Sequence, residues 1–152
     1  MFRTIVVPVD LAEVDVSRPA IASAVAMAKQ SNGRIILVNV VPIMPVMMLD
    51  TVPVSYEAEV AERAQSSLSD VAATVDLPRD RVSAVVKIGG VYHEVLDVAA
   101  QEGADLVLVA SHRPAMATYL LGSNATAIVR HAKCSVLVLR NEGLPDPKPA
   151  AE

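Results

Sequence analysis

The sequence predicts an α/β protein: a single domain built on an open five-stranded parallel sheet with helices on both faces. Three observations predict it. Short, continuously apolar runs, suited to strands covered on both sides, alternate along the chain with segments whose apolar residues recur every three or four positions. Hydrophobic residues make up 53% of the sequence and aromatics only 3%, so the core must be filled by Val, Ala, Leu and Ile, the usual filling of a parallel sheet between helices. At 152 residues the chain has the length of one domain, and no tandem repeat calls for a second. Strict alternation of strand and helix implies parallel pairing through right-handed crossovers.

The first strand is Arg3 to Asp10, with Pro8 near its end, where a missing N–H is tolerated. Asp10 stands at the strand tip. In an open parallel sheet ligands bind beyond the carboxyl ends of the strands, so Asp10 is placed either to accept hydrogen bonds from sugar hydroxyls or to cap the next helix. That helix runs from Ser17 to Asn32 with Ile21, Val25 and Ala28 on one stripe, and Asn32-Gly33 is its stop signal. Ile35 to Val41 is the second buried strand, ended by Pro42. The stretch from Pro42 to Pro53 holds three prolines and three methionines, the composition of an irregular loop with an adaptable apolar surface. Such a loop would cover part of the core, form a subunit contact, or fold over a ligand.

A long second helix starts near Ser55, with Val60, Ala64, Leu68, Val71 and Val75 on its inner face and Glu57, Glu59, Glu62 and Arg63 in solvent. Leu77-Pro78 ends it. Val82 to Lys87 alternates more than the other strands and is placed nearer an edge. After the turn at Gly89-Gly90, Val91, Val95, Val98 and Ala99 set a third helix closed by Glu102-Gly103. Tyr92 and His93 read as surface or packing residues.

The most informative stretch follows. Leu106 to Ala110 is a strand buried on both faces, and after a loop Gly122-Ser123-Asn124 opens a helix striped by Ala125, Ile128, Val129 and Ala132. The first amides of a helix have no partner inside it and sit at its positive end, so this turn suits a phosphate, with His112 and Arg113 as supplements. An ordinary strand-loop-helix with a well-made cap accounts for the same residues. Ser135 to Arg140 is the fifth strand, and residues 141–152, with three prolines and no periodicity, are expected to form a flexible tail after a domain of residues 1–140.

Several functions are excluded or disfavoured. A net charge of −4 with no cluster of Lys and Arg argues against nucleic acid. One cysteine, Cys134, forbids an internal disulfide framework and a cysteine metal centre, and it reads as a structural residue in a reducing compartment. The opening residues lack a secretory pattern and no apolar run reaches membrane-spanning length, so a cytoplasmic protein without a membrane partner is expected. No Gly-x-x-x-x-Gly-Lys-Ser/Thr, Gly-x-Gly-x-x-Gly, Gly-x-Ser-x-Gly or His-Glu-x-x-His is present. The histidines have no metal-ligand spacing.

Two motifs carry a family resemblance over residues 2–140. The first strand ends Val7-Pro8-Val9-Asp10, and the last helix and strand read Ile128-Val129-Arg130-His131-Ala132-Lys133-Cys134-Ser135-Val136-Leu137-Val138. Both resemble the universal stress protein family. Its ATP-binding members carry Gly-x-x-Gly, nine residues, then Gly-Ser or Gly-Thr. Here Ala110 and Arg113 replace the loop glycines, and eight residues separate Arg113 from Gly122. Ala110-Ser111-His112-Arg113-Pro114 with Thr118-Tyr119-Leu120-Leu121-Gly122-Ser123-Asn124-Ala125 is similar to the F/G-type bacterial subgroup, in which an Arg fork can serve phosphate where glycines otherwise allow close backbone approach.

The resemblance implies a Rossmann-like fold of the adenine nucleotide alpha hydrolase-like kind. It implies ATP or another adenine nucleotide as cofactor, with Mg as its accompanying ion. Adenine would lie near Val40, Asp10 and the backbone of Ala110 would meet the ribose, and His112, Arg113, Gly122, Ser123 and Asn124 would meet the phosphates, with Pro8, Val9, Ser111 and Ala125 completing the nucleotide-binding set. It also implies a homodimer paired through Val136 to Leu139. A regulatory nucleotide-binding protein of the stress response is the first expectation. The alternatives are a slow ATPase or self-phosphorylating or self-adenylylating enzyme, for which no general base stands out, and a nucleotide-free dimeric interaction module.

Overall fold

The computed structural model describes residues 1–111 and 122–140. His112, Arg113, the rest of the loop to Leu121 and the expected tail at 141–152 lie outside the described residues. In chain order the elements are β1 (Thr4–Pro8), α1 (Val14–Ser31), β2 (Arg34–Val41), α2 (Tyr56–Ala73), β3 (Val82–Ile88), α3 (Val91–Gln101), β4 (Leu106–Ser111), α4 (Ser123–His131) and β5 (Ser135–Arg140). The strands form one sheet in the order β3-β2-β1-β4-β5, and every pairing is parallel. The predicted class and strand count are therefore observed.

Two cores follow from the period-two alternation of the strands. Ile5, Val7, Ile35, Leu37, Leu106 and Leu108 point to one face, where Ala20, Ala24 and Ala28 of α1 and Leu68 and Val71 of α2 meet them. Val6, Ile36, Val38, Val107 and Val109 point to the other, against Val95 and Val98 of α3 and Ala125 and Ile128 of α4. β1, β2 and β4 are buried on both sides, which is why their sequences are apolar runs. β3 and β5 are the edges, and their side chains are mostly half-buried.

Differences from the expected elements have local causes. α1 begins at Val14, one turn before Ser17, because the Ser17 hydroxyl is used outside the helix, on the amide of Asp10. Its end behaves as read: Asn32 adopts the left-handed conformation and the Asn32 and Gly33 amides both return to the Ala28 carbonyl. Gly33 is required by close approach, since a Cβ there would lie 2.7 Å from the Arg3 carbonyl oxygen. Val129, placed on the inner stripe of α4, is 48% exposed, because the nine residues of this helix present only Ala125 and Ile128 to the sheet. The methionine-rich loop does not cover the core. Val46–Met48 form a single 3-10 turn with Met47 and Met48 exposed.

At the amino end of the sheet β1 is fastened to β4 by a carboxylate. Asp105 accepts the amides of Arg3, at 2.9 Å, and Thr4, at 3.0 Å, and its own amide donates to the Thr4 carbonyl at 3.0 Å. Asp105→Ala is expected to lower stability by about 1 kcal/mol, because the two amides exchange a charged acceptor for water. Urea denaturation should show the loss as a lower midpoint with an unchanged slope.

Candidate functional site

Strand order fixes where a site can form. β1 feeds β2 on one side while β4 lies on its other side, so the chain reverses direction between β1 and β4, and a crevice is expected outside their carboxyl ends. The pairing shows the opening directly. β1 pairs with β2 along its whole length, from Thr4 to Pro8, but with β4 only at Ile5–Leu106 and Val6–Val107. Continuing that register would bring Asp10 level with Ser111, yet the ladder stops before either is reached.

Pro8 explains the stop. Odd-numbered residues of β1 turn their backbone groups to β2: the Arg3 carbonyl accepts the Arg34 amide at 2.7 Å, and the Val9 amide donates to the Val38 carbonyl at 2.8 Å. Even-numbered residues therefore turn to β4, as Thr4 does toward Asp105. The next even position after Val6 is Pro8, which has no N–H to give. The tip of β1 is then held from the β2 side, where the Asn39 side-chain amide donates to the Val9 carbonyl at 2.9 Å.

Beyond the tip the chain turns tightly. The Asp10 amide donates to the buried Ser17 hydroxyl at 3.2 Å, and the Asp10 carboxylate accepts the Ala12 amide at 2.9 Å through Oδ1. Asp10 does not cap α1, whose N-cap is Glu13. It closes an Asx turn with one oxygen and is itself exposed, which leaves Oδ2 without a hydrogen-bond partner among the described residues.

Opposite it, Ala110 and Ser111 end β4. Ala110 packs on the core of α1 and α2, and Ser111 follows Val107 and Val109 onto the face of α3 and α4. Ser111 is 2% exposed, and among the buried side-chain polar atoms of the described residues its Oγ alone has no hydrogen-bond partner. A buried hydroxyl left unpaired costs free energy, and this one stands at the carboxyl end of β4, the edge where the crevice is expected.

α4 links the carboxyl end of β4 to the amino end of β5, which directs its first turn to the same edge. Gly122 is the N-cap and makes no side-chain cap hydrogen bond, so the alternative of a well-made side-chain cap is not seen among the described residues; the first amides of a helix are the groups that suit an anion. Ser123 and Asn124 are exposed in the first turn, while the Ala125 side chain belongs to the core and only its backbone can serve a ligand. Val40, at the end of β2, is half-buried on the face of α3 and α4.

Sequence reasoning missed Asn39, Ser17 and Asp105. The signal for Asn39 was present, an amide side chain within the apolar run Ile35 to Val41. Cys134 is half-buried, and burial is the chief reason its thiol pKa is raised, which disfavours the reactive thiolate at neutral pH. Tyr92 makes a tilted ring contact with His93 and a stacked one with His131, with ring centroids 4.0 and 5.6 Å away, and so is a packing residue. Among the described residues no group of three or more His, Cys, Asp and Glu is arranged to hold a metal ion.

Comparison with known proteins adds to this geometry. The model of the universal stress protein family matches residues 1–140. Universal stress protein G of Escherichia coli O157:H7 is 34% identical over 143 residues, covering 92% of this chain and 100% of the relative. The solved structure of universal stress protein UspA from Lactobacillus plantarum superposes with a TM-score of 0.73 at 24% identity, over 91% of this chain and 97% of that one. Two further structural neighbours were solved with ligands. One is a universal stress protein in complex with cAMP (TM-score 0.63, 20% identity, 91% and 97% of the chains), the other the universal stress protein from Archaeoglobus fulgidus in complex with dAMP (0.61, 15%, 90% and 96%). No helix among the described residues is long and apolar enough to cross a membrane.

If the missing donor at Pro8 keeps the crevice open, Pro8→Ala should let β1 and β4 pair one step further. The expected outcome is a protected amide at position 8 in hydrogen exchange, in a protein that still folds.

Proposed function

This chain belongs to the universal stress protein family, and from that membership we propose that it is a regulatory protein binding an adenine nucleotide, ATP first among them, in the crevice between β1 and β4. The observation that carries the proposal is the buried, unpartnered Ser111 hydroxyl at the mouth of a sheet that parts there. The neighbours solved with cAMP and dAMP support the ligand class.

In this reading adenine lies against the end of β2 near Val40, where main-chain groups can read its edge. Asp10 Oδ2 and the backbone of Ala110 meet the ribose. The first amides of α4, with the hydroxyls of Ser111 and Ser123 and the side chain of Asn124, meet the phosphates. His112 and Arg113 supplement them. Mg, where it accompanies the nucleotide, is held by phosphate oxygens and water, in the manner usual for this ion. The bound state and not turnover carries the signal, since phosphoryl transfer needs a water-orienting residue and charge-stabilising groups around the terminal phosphate.

Calorimetry with ATP tests the reading. Ser111→Ala should weaken binding while leaving the free protein as stable or slightly more stable, because an unpaired buried hydroxyl is removed. Gly122→Val should weaken it more by blocking backbone approach, and Ser123→Ala less, because the helix amides remain. Parent-like binding in all three would place the nucleotide elsewhere, and no binding by the parent would defeat the proposal.

We further propose a homodimer paired through β5. This strand is an edge, and Val136, Leu137, Val138 and Leu139 are only half-buried along it, so unpaired backbone groups and apolar side chains lie side by side. Light scattering should show a dimer at micromolar concentration, and Leu137→Pro should shift it toward monomer by removing one donor. A parent that is monomeric under the same conditions would overturn this assignment.

A further inference from the structure

Among the described residues, the loop between β2 and α2 is where the chain departs most from burying its apolar residues. Val46 is 80% exposed, Met47 is 92% exposed, and Ile43 and Val54 are also largely in water. Single exposed apolar residues are ordinary, but a contiguous stretch of them marks an interaction surface. This one has shape. Met44, Leu49, Val52, Pro53 and Tyr56 line a groove of about 240 Å³ with Glu57 at its side. That is below the roughly 300 to 1,000 Å³ of small-molecule pockets, and it suits one apolar side chain of a larger partner.

The charge along the segment that forms the groove is of one sign. From Pro42 to Glu62 the chain carries four carboxylates, Asp50, Glu57, Glu59 and Glu62, and no Lys, Arg or His. Arg63 follows, but it is 3.8 Å from Glu59 and engaged there. Lys87 near the end of β3 alternates with Ala84 and Val86, which pack toward α1 and α2, so it lies on the opposite face of the sheet. Methionine adds adaptability, since its unbranched chain can repack around differently shaped anchors.

The geometry points to a docking site for a basic amphipathic helix of a partner protein: its apolar side chain enters the groove over Met44 and Leu49, its apolar face covers Met47 and Val46, and its Lys and Arg meet Asp50 and Glu57. Apolar anchors in a groove with a complementary charged rim are the general form of helix recognition. The site is independent of the nucleotide reading.

Calorimetry tests it with the full-length protein and a synthetic helical peptide of Lys and Leu with all leucines on one face, against a peptide of identical composition with the leucines scattered. The expected result is saturable binding of the first peptide only, weakened about tenfold by Met47→Glu, the size of one lost apolar anchor. Glu57→Gln should also weaken it and flatten its salt dependence. Met47 is almost wholly in water, so its replacement leaves folding intact, and Gly122→Val should leave peptide binding unchanged. Equal binding of both peptides, or tighter binding by Met47→Glu, would reduce the effect to charge attraction and overturn the proposal. Failure of the first peptide to bind, or self-association of the parent abolished by Met47→Glu, would overturn it too, the latter because a second copy would then be the occupant.

Discussion

A missing donor at the centre of the sheet shapes this protein more than any bond it makes. β1 lies between β2 and β4 and must serve both, and its backbone groups alternate between them. Pro8 falls on the turn of β4 and has nothing to donate, so β1 and β4 part while β1 and β2 stay paired to the same level. At the other end Asp105 holds β1 and β4 together through the amides of Arg3 and Thr4. The sheet is fastened below and parted above, and the parting occurs where the winding of the chain reverses. Open α/β sheets have their crevice at such a point, and here it has an identifiable chemical cause.

At and beyond the tip of β1, backbone polar groups are satisfied by side chains. Asn39 takes the Val9 carbonyl, Ser17 takes the Asp10 amide, and the Asp10 carboxylate takes the Ala12 amide. These contacts hold the β1 side of the crevice rigid without calling on β4. The β4 side is treated differently. Ser111 is buried with its hydroxyl unpaired, and α4 starts with no side-chain cap. The β1 side is thus held by hydrogen bonds, while the β4 side carries the polar groups that the proposed nucleotide would meet.

The fold was legible because its signals are local. Apolar runs that become fully buried strands, helical stripes that become α1, α2 and α3, and the Asn32-Gly33 stop could all be read without knowing what they touch. Strand order could not, since the sequence does not say that β4 sits beside β1. For that reason Pro8 read as a tolerated proline near a strand end, when in the sheet it decides where the strands separate. Asn39 was hidden for the same reason, because its worth lies in a carbonyl thirty positions away in sequence. Val129 misled because a nine-residue helix covering an edge presents a narrower stripe than its apolar pattern suggests. The prolines of the methionine-rich loop mark it as irregular, but composition does not say whether its apolar residues face the core or water.

β2 connects the parts of the molecule for which a use is proposed. Asn39 holds the tip of β1, Val40 lies next to the last residue of the strand, and Pro42 opens the loop whose apolar residues stand in water. From Ile35 to Val38 the strand is completely buried between both cores, so it will not shift to carry a message. The loop has no such restraint: one 3-10 turn, few buried side chains, and exposed ends. A ligand at the crevice can alter a distant surface only by favouring one arrangement of a part that has more than one available. Among the described residues the loop after β2 has the fewest buried side chains to hold it, whereas the strand before it is fixed in the sheet between both cores.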